Sequence, residues 1–304
     1  GHLSAMGLFE TSGITATTVA IEEQSGTLGL LSPTPRGGPG QTTDKEKRTI
    51  RSLAVPHFQL DDAVMADEVQ GVREFGTQDQ LQTVINRVNA RMASRVPYFD
   101  ATLEYQRIGA VKGIITYADS TTLNLFTEFG VSQESEQAFD LTNNSASLAK
   151  KCMAVQRLIA TNLGGLPYSG IHAFVGDNFF DDLVTNAEAV DTYKYQQGAA
   201  LRDRLPYRQV TYGGITFENY RGGVGATAFV HTDKAHFFPV GVPGLFQTWF
   251  APADYMETVN TVGLPRYAKP ILMDNGKGMR LEMQSNPLSI CMRPKVLIQG
   301  KRGA

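Results

Sequence analysis

Cysteine thiolates are the strongest nucleophiles among the side chains, and this chain carries two thiols, Cys152 and Cys291. A thiol reacts as the thiolate, so it needs water, cations or a helix N-terminus beside it. Cys152 falls on the apolar stripe of a helical pattern and Cys291 inside an apolar strand run. Desolvation there raises the thiol pKa and leaves both inert. With no C-x-x-C pair, they supply neither a zinc site nor a disulfide framework, and a reduced, cytosolic setting is expected.

Metal ligation is the next chemistry to test. His231-Thr232-Asp233-Lys234-Ala235-His236 is the one His-dense segment. On a strand, His231 and Asp233 share a face while His236 points away, so three ligands do not converge, and a structural role is expected. Gly223-Val224-Gly225-Ala226-Thr227-Ala228 satisfies G-x-G-x-x-A. A dinucleotide site needs a helix after that turn to meet the pyrophosphate. Phe229-Val230-His231 is strand-like instead, so the segment reads as a hairpin turn. The carboxylate pairs Glu22-Glu23, Asp61-Asp62 and Asp181-Asp182 are adjacent in sequence and diverge on any regular element, which suits caps and solvated faces better than acid/base partnership. No G-x-S-x-G elbow and no phosphate-binding Walker loop occur. The sequence therefore names no catalytic, cofactor-binding or metal-binding residue. Arg293, Lys295, Lys301 and Arg302 form a basic C-terminal stretch without an acid, suited at most to weak, salt-sensitive phosphate contact.

The elements around these residues are easier to read. Residues 18–31 and 47–60 are β-branched and aliphatic runs flanking Ser32-Pro33-Thr34-Pro35-Arg36-Gly37-Gly38-Pro39-Gly40, with Pro56 marking an edge position. Two strands around a Pro/Gly tip predict a protruding hairpin with little apolar content of its own, in need of a partner surface. Residues 77–112 form the strongest helical pattern, opened by Thr77 and Gln80 at capping-box spacing. Leu81, Val84, Ile85, Val88 and Met92 form its stripe, Pro97 is expected to kink or interrupt it, and Tyr98, Phe99, Leu103 and Ile108 continue the apolar face. Such an element would be about 50 Å long.

Gly113–Phe129 reads as a strand pair turning at Ala118-Asp119-Ser120. A helix over 146–163 faces Leu148, Cys152, Val155, Ile159 and Leu163 inward and stops at Gly164-Gly165. A strand at 171–175, a helix opened by Asp177 and a helix over 188–204 follow. Strands are expected near 207–212, 215–220, 226–231 and 235–239, loop over 241–254, and strands at 257–262, 264–273, 278–284 and 287–299. The class is α+β without a fixed repeat.

The whole chain has 304 residues, 42% hydrophobic, 19% charged, with a net charge of -2. That length predicts roughly two domains, and the charge balance excludes a generally basic nucleic-acid binder. Charge is sparse against an average of about 25%, which fits equally a Gly- and Thr-rich protein and a subunit that buries much of its outside against neighbours. No apolar run approaches the ~20 residues of a membrane span. The chain opens at Gly1 without an initiator Met or signal-peptide pattern, so a processed or truncated form is expected.

The order of elements, together with Thr17-Thr18-Val19-Ala20-Ile21-Glu22-Glu23, the Pro-Arg-Gly-Gly-Pro-Gly tip at 35–40, Val55-Pro56-His57-Phe58, Asp61-Asp62 and Glu68-Val69-Gln70-Gly71-Val72-Arg73, resembles the lambda-type phage major capsid protein E family. Leu264-Pro265-Arg266-Tyr267-Ala268-Lys269 and 285–291 resemble its closing strands. The likeness is most specific over 17–73. It implies a Hong Kong 97-type capsid fold with an extended-loop hairpin, a long spine helix and a mixed α/β axial domain. Residues 1–17 would be the remnant of an N-terminal arm, 18–71 the extended loop, 72–130 with 256–304 the peripheral domain, and 131–255 the axial domain. It further implies self-assembly into pentamers and hexamers of an icosahedral shell around packaged DNA, in the host cytoplasm and then the virion, with scaffold, decoration or portal proteins as further partners and no membrane. Arg36, Gly37, Gly38, Pro39 and Gly40 would contact a neighbouring subunit. Two alternatives stand beside it, an encapsulin-like nanocompartment shell and a nucleotide-binding enzyme built on 223–228.

Overall fold

The computed structural model describes residues 1–25, 47–70, 83–143, 147–196, 208–225 and 227–303, with backbone alone for 22–25, 47–49, 192–196 and 227. One large hydrophobic core joins side chains from Leu3 to Ile298. At its centre is a six-stranded sheet ordered 137–138, 298–301, 234–240, 170–175, 215–219, 209–212. Gly170–Val175 and Ile215–Asn219 run parallel, joined through helices Asp177–Thr185 and Ala187–Gln196, so one βαβ crossover sits inside the α+β arrangement. Right-handed crossovers of this kind let a helix cover the sheet face. Phe179, Phe180 and Leu183 of the first helix are buried there.

Helix Leu148–Leu163 matches its sequence pattern. Leu148, Cys152, Val155, Ile159 and Leu163 are the buried residues, and Gly164 ends it in the left-handed region at φ 64°. The turn Gly213-Gly214 between strands Gln209–Tyr212 and Ile215–Asn219 needs positive φ at both residues, 54° and 75°, which glycine adopts without steric cost.

The spine helix spans Val84–Lys112, 29 residues or about 43 Å, and continues through Pro97. Thr83 caps it by accepting from the Asn86 N–H at 3.1 Å. Thr77, Gln80 and Leu81, where the sequence placed its start, lie outside the described residues. Its C-terminal half is core, with Ile108, Ala110 and Val111 buried. Gly109 is required there, because a Cβ would stand 2.9 Å from the Ile115 Cα.

The N-terminal half lies instead over a three-stranded sheet of Tyr267–Leu272, Gly278–Ser285 and Phe58–Met65, in that order. Val64, Val88 and Leu281 make a small second core. Charge supplements this thin contact. Arg87 and Arg91 reach Glu68 at 3.5 and 3.3 Å, and Arg95 reaches Asp62 at 2.7 Å. One helical turn separates each arginine from the next, so all three reach the same side, toward the strand Phe58–Met65 and the short helix Ala66–Val69 that follows it. Burial pushes the Asp62 carboxyl up, but hydrogen bonds from Arg95 and the Ala63 N–H and the charge of Arg91 outweigh it, leaving the group below its ordinary value. A depressed carboxyl contributes stability above its unfolded pKa and loses it as pH falls through the folded one. Asp62→Asn should therefore lower stability by about 1 kcal/mol at pH 7 and by less as the pH drops below ~4, measured by urea unfolding.

Three sequence expectations are corrected. Residues 241–254 contain the strand Phe246–Phe250, which pairs parallel with Glu10–Gly13 and antiparallel with Pro287–Cys291. Residues 257–262 are turns around the 3-10 helix Met256–Thr258, and no strand forms there. The run 287–299 breaks into Pro287–Cys291, a 3-10 turn and Ile298–Lys301. That last strand joins the six-stranded sheet, so the closing segment serves both sheets. Pro270 occupies the middle of the outer strand Tyr267–Leu272.

Candidate functional site

The arm begins as the sequence suggests. Thr18–Ser25 pairs antiparallel with Lys47–Ala54, placing Val19 opposite Leu53 and Ile21 opposite Arg51. Alternation sends Val19, Ile21 and Leu53 into the main core, where all three are buried. The arm base is thus satisfied within its own chain, which corrects the expectation that the hairpin lacks apolar anchorage. Arg51 adds a hydrogen bond to the Glu128 carbonyl. Farther toward the tip Ile50 is 66% exposed, so burial fades along the hairpin. Pro56 falls between this strand and Phe58–Met65 rather than within one. Arg36, Gly37, Gly38, Pro39 and Gly40 lie outside the described residues.

Two further surfaces stand out. On the spine helix Ile85 is 71% and Tyr98 60% exposed, and Val84 is exposed as well. The sequence assigned these to a core-facing stripe. In the N-terminal half of the helix only Val88 of them is fully buried, because the small sheet beneath covers one narrow strip there. The second surface is the loop 253–264, where Met256 is 93% exposed and Val259, Val262 and Leu264 are exposed too. Its backbone is pinned from within. Thr258 Oγ1 donates to the Ala253 carbonyl at 2.6 Å, the Gly263 N–H donates to Ile14 at 2.9 Å, and the Leu264 N–H donates to the Tyr267 hydroxyl at 2.8 Å. Ordered apolar side chains facing water mark a docking surface. A loop pattern without periodicity hid this one from sequence reasoning.

Most of the described residues singled out for chemistry are accounted for by packing. Burial pushes the Cys152 and Cys291 thiols up to about 12. His231 and Asp233 sit in a turn, not the expected strand, and the Asp233 N–H donates to His231 Nδ1 at 3.2 Å. His236 is buried in strand Lys234–Val240, and burial, with Lys112 and Lys234 nearby, pushes it down to about 3. Gly223–Val224 pairs with Thr227–Ala228 as a two-stranded hairpin, so no helix N-terminus follows the glycines. The adjacent carboxylates part ways. Asp62 meets Arg95, Asp182 meets Arg302, and the Glu22 and Glu23 side chains lie outside those described. The C-terminal basic stretch is not a free patch, since Arg302 also pairs with Asp233 at 3.5 Å and Lys295 with Glu134 at 3.8 Å.

A hairpin arm, a long spine helix and a mixed sheet domain sharing one core define the Hong Kong 97-type class of capsid subunit. The structure is similar to the capsid asymmetric unit of cyanophage Pam1, with TM-score 0.55 at 14% identity over 98% of this chain and 88% of that one. It is also similar to the mature capsid of bacteriophage PhiM1, with TM-score 0.54 at 14% identity over 97% and 84%. Within that class the chain belongs to the phage major capsid protein E family, whose model matches residues 1–302. Among its relatives, the major capsid protein of Pseudomonas phage KPP10 is 28% identical over 99% of this chain and 92% of the relative. That of Salmonella phage Felix O1 (isolate Felix O1-VT1) is 27% identical over 100% and 92%. The chain is a phage major capsid protein, a structural component of the head.

Proposed function

We propose that this subunit assembles with copies of itself into the pentamers and hexamers of an icosahedral head, and that it does so without catalysing a reaction. The observation that carries this reading is the pair of ordered apolar surfaces, Val84, Ile85 and Tyr98 on the spine helix and Met256, Val259, Val262 and Leu264 on the loop. Each unburied large side chain forgoes about 1.5–3 kcal/mol of transfer free energy, which side-to-side packing would recover. The arm of 18–71 would lie across a neighbour, 131–255 would crowd the vertices as the axial domain, and 72–130 with 256–304 would form the peripheral domain. Residues 1–17 would belong to the N-terminal arm. Patches that are unlike each other join head to tail and close into rings. With Lys295 and Arg302 engaged by acids of their own chain, contact with the enclosed DNA would be weak. Assembly would take place in the host cytoplasm, with scaffold, decoration and portal proteins as its other partners.

Negative-stain electron microscopy across a concentration series tests this. Rings, tubes or closed shells appearing as concentration rises are expected. Single subunits at every concentration, also when the other head proteins are co-expressed, would overturn it.

A further inference from the structure

Helix Leu148–Leu163 packs on the six-stranded sheet through one face and turns the other to water. We infer that this outer face binds the phosphate backbone of nucleic acid. The inference rests on the shell reading above and deepens it, by naming the side of the subunit that meets the enclosed DNA.

The helix carries Lys150, Lys151 and Arg157 and no acid. Its buried residues recur at helical spacing, and the side opposite them presents Lys150, Met153, Arg157, Ala160 and Thr161, all exposed. Among the described residues no acid pairs with Lys150, Lys151 or Arg157. Elsewhere cations have partners, as Arg95 has Asp62, Arg221 has Asp177, Arg266 has Asp100 and Lys234 has Glu136. Position adds to the imbalance. Lys150 and Lys151 stand in the first turn, at the positive end of the helix dipole, where a cation is disfavoured. The carboxylate at that end serves the backbone, since Glu188 accepts from the Leu148 and Ala149 N–H groups at 2.7 and 3.2 Å. Positive charge continues past the other end. Arg293 donates to the Leu163 carbonyl at 3.4 Å, and the exposed Lys295 stands 3.8 Å from Glu134.

A face of this composition suits a polyanion. A duplex presents one negative charge per about 1.7 Å of its axis, so a straight stripe about 24 Å long finds phosphates wherever it lands. Contacts of this kind position a protein on a duplex without reading its sequence. A protein partner would call for an apolar centre, and the one large apolar side chain on this stripe is Met153, 41% exposed. The apolar patches of the spine helix and of loop 253–264 are built for that purpose instead. Each subunit would hold nucleic acid weakly, and a shell repeats the same face many times, which multiplies the effect.

The test is fluorescence anisotropy of a short mixed-sequence DNA duplex titrated with the purified chain at several salt concentrations. Three phosphate contacts predict a slope of about −2.7 in log K against log salt, or roughly forty-fold weaker binding at about 200 mM than at about 50 mM. Lys150→Gln, Lys151→Gln and Arg157→Gln together should flatten that slope, glutamine being a good helix former. A matched set on the three-stranded sheet and its turn, Lys269→Gln, Lys277→Gln and Arg280→Gln, removes the same charge and should leave the slope unchanged. No binding by the parental chain at the lower salt, or equal losses from both sets, would overturn the inference. Electron microscopy of the first triple variant should still show particles. Loss of particles with duplex binding intact would give the face to a protein neighbour and overturn it too. Failure of the parental chain to form particles would strike the shell reading alone, because the duplex titration does not depend on assembly.

Discussion

A chain lacking residues 33–46 should melt at least as high as its parent and form no shells. The two outcomes separate because the arm is anchored at its base, while the proposed assembly contact would be made by its tip. Val19, Ile21 and Leu53, which bind the arm to the main core, remain in the deleted chain. The connection between the strand ends shortens from 21 residues to 7. Chain-closure entropy then favours the folded state by about 1 kcal/mol, so thermal unfolding shows no loss. Electron microscopy of the same preparation should show neither rings nor closed particles. Shells at parental yield would exclude the arm from assembly, and a lowered melting temperature would show that the tip supports its own subunit.

Phe237→Ala carries the largest expected loss of stability. Phe237 is fully buried in the six-stranded sheet, stacked on Phe139 at 5.3 Å and edge-on to Phe217 at 5.8 Å. It is flanked by Ala173 and Ile298 on the neighbouring strands of one close-packed interior, which relaxes little around a missing ring. The cost should be about 3–5 kcal/mol, a large share of the ~5–15 kcal/mol that holds a domain. Urea unfolding should show a lower midpoint at an unchanged slope. A loss below ~1 kcal/mol would mean that the ring is far less confined than its contacts indicate.

Elements with their own periodicity were legible in the residues. The stripe from Leu148 to Leu163 and the stop at Gly164 needed no tertiary information. Phe246–Phe250 was hidden between Gly241, Pro243 and Gly244, although its buried residues Phe246, Thr248 and Phe250 alternate as a strand should. The spine helix shows the opposite failure. Val84 and Ile85 fit a helical stripe, yet apolar spacing says only which side chains share a face, not whether that face meets its own chain or another's. The neighbourhood of Glu104, Asp181 and Asn219 could not be read at all, because the three are far apart in sequence and come together only where the spine helix packs beside the crossover. Pairings such as Arg95 with Asp62 are long-range for the same reason. The two paired strands at the base of the hairpin were legible from composition, and the family match bears out the likeness those residues carry.

Pro270 has a consequence beyond its own strand. It interrupts the free border of the three-stranded sheet, with Lys269 beside it. Head proteins are made in bulk and concentrated where they are used, the setting in which open sheet borders zip together into fibrils. A strand with no N–H at its midpoint and a charge next to it is a poor template for such growth. At this border sister molecules would meet through side chains, whose contacts come apart more readily than an amide ladder. A misjoined subunit can then detach and rejoin in register, and error correction of that kind is what a closed lattice of many copies depends on.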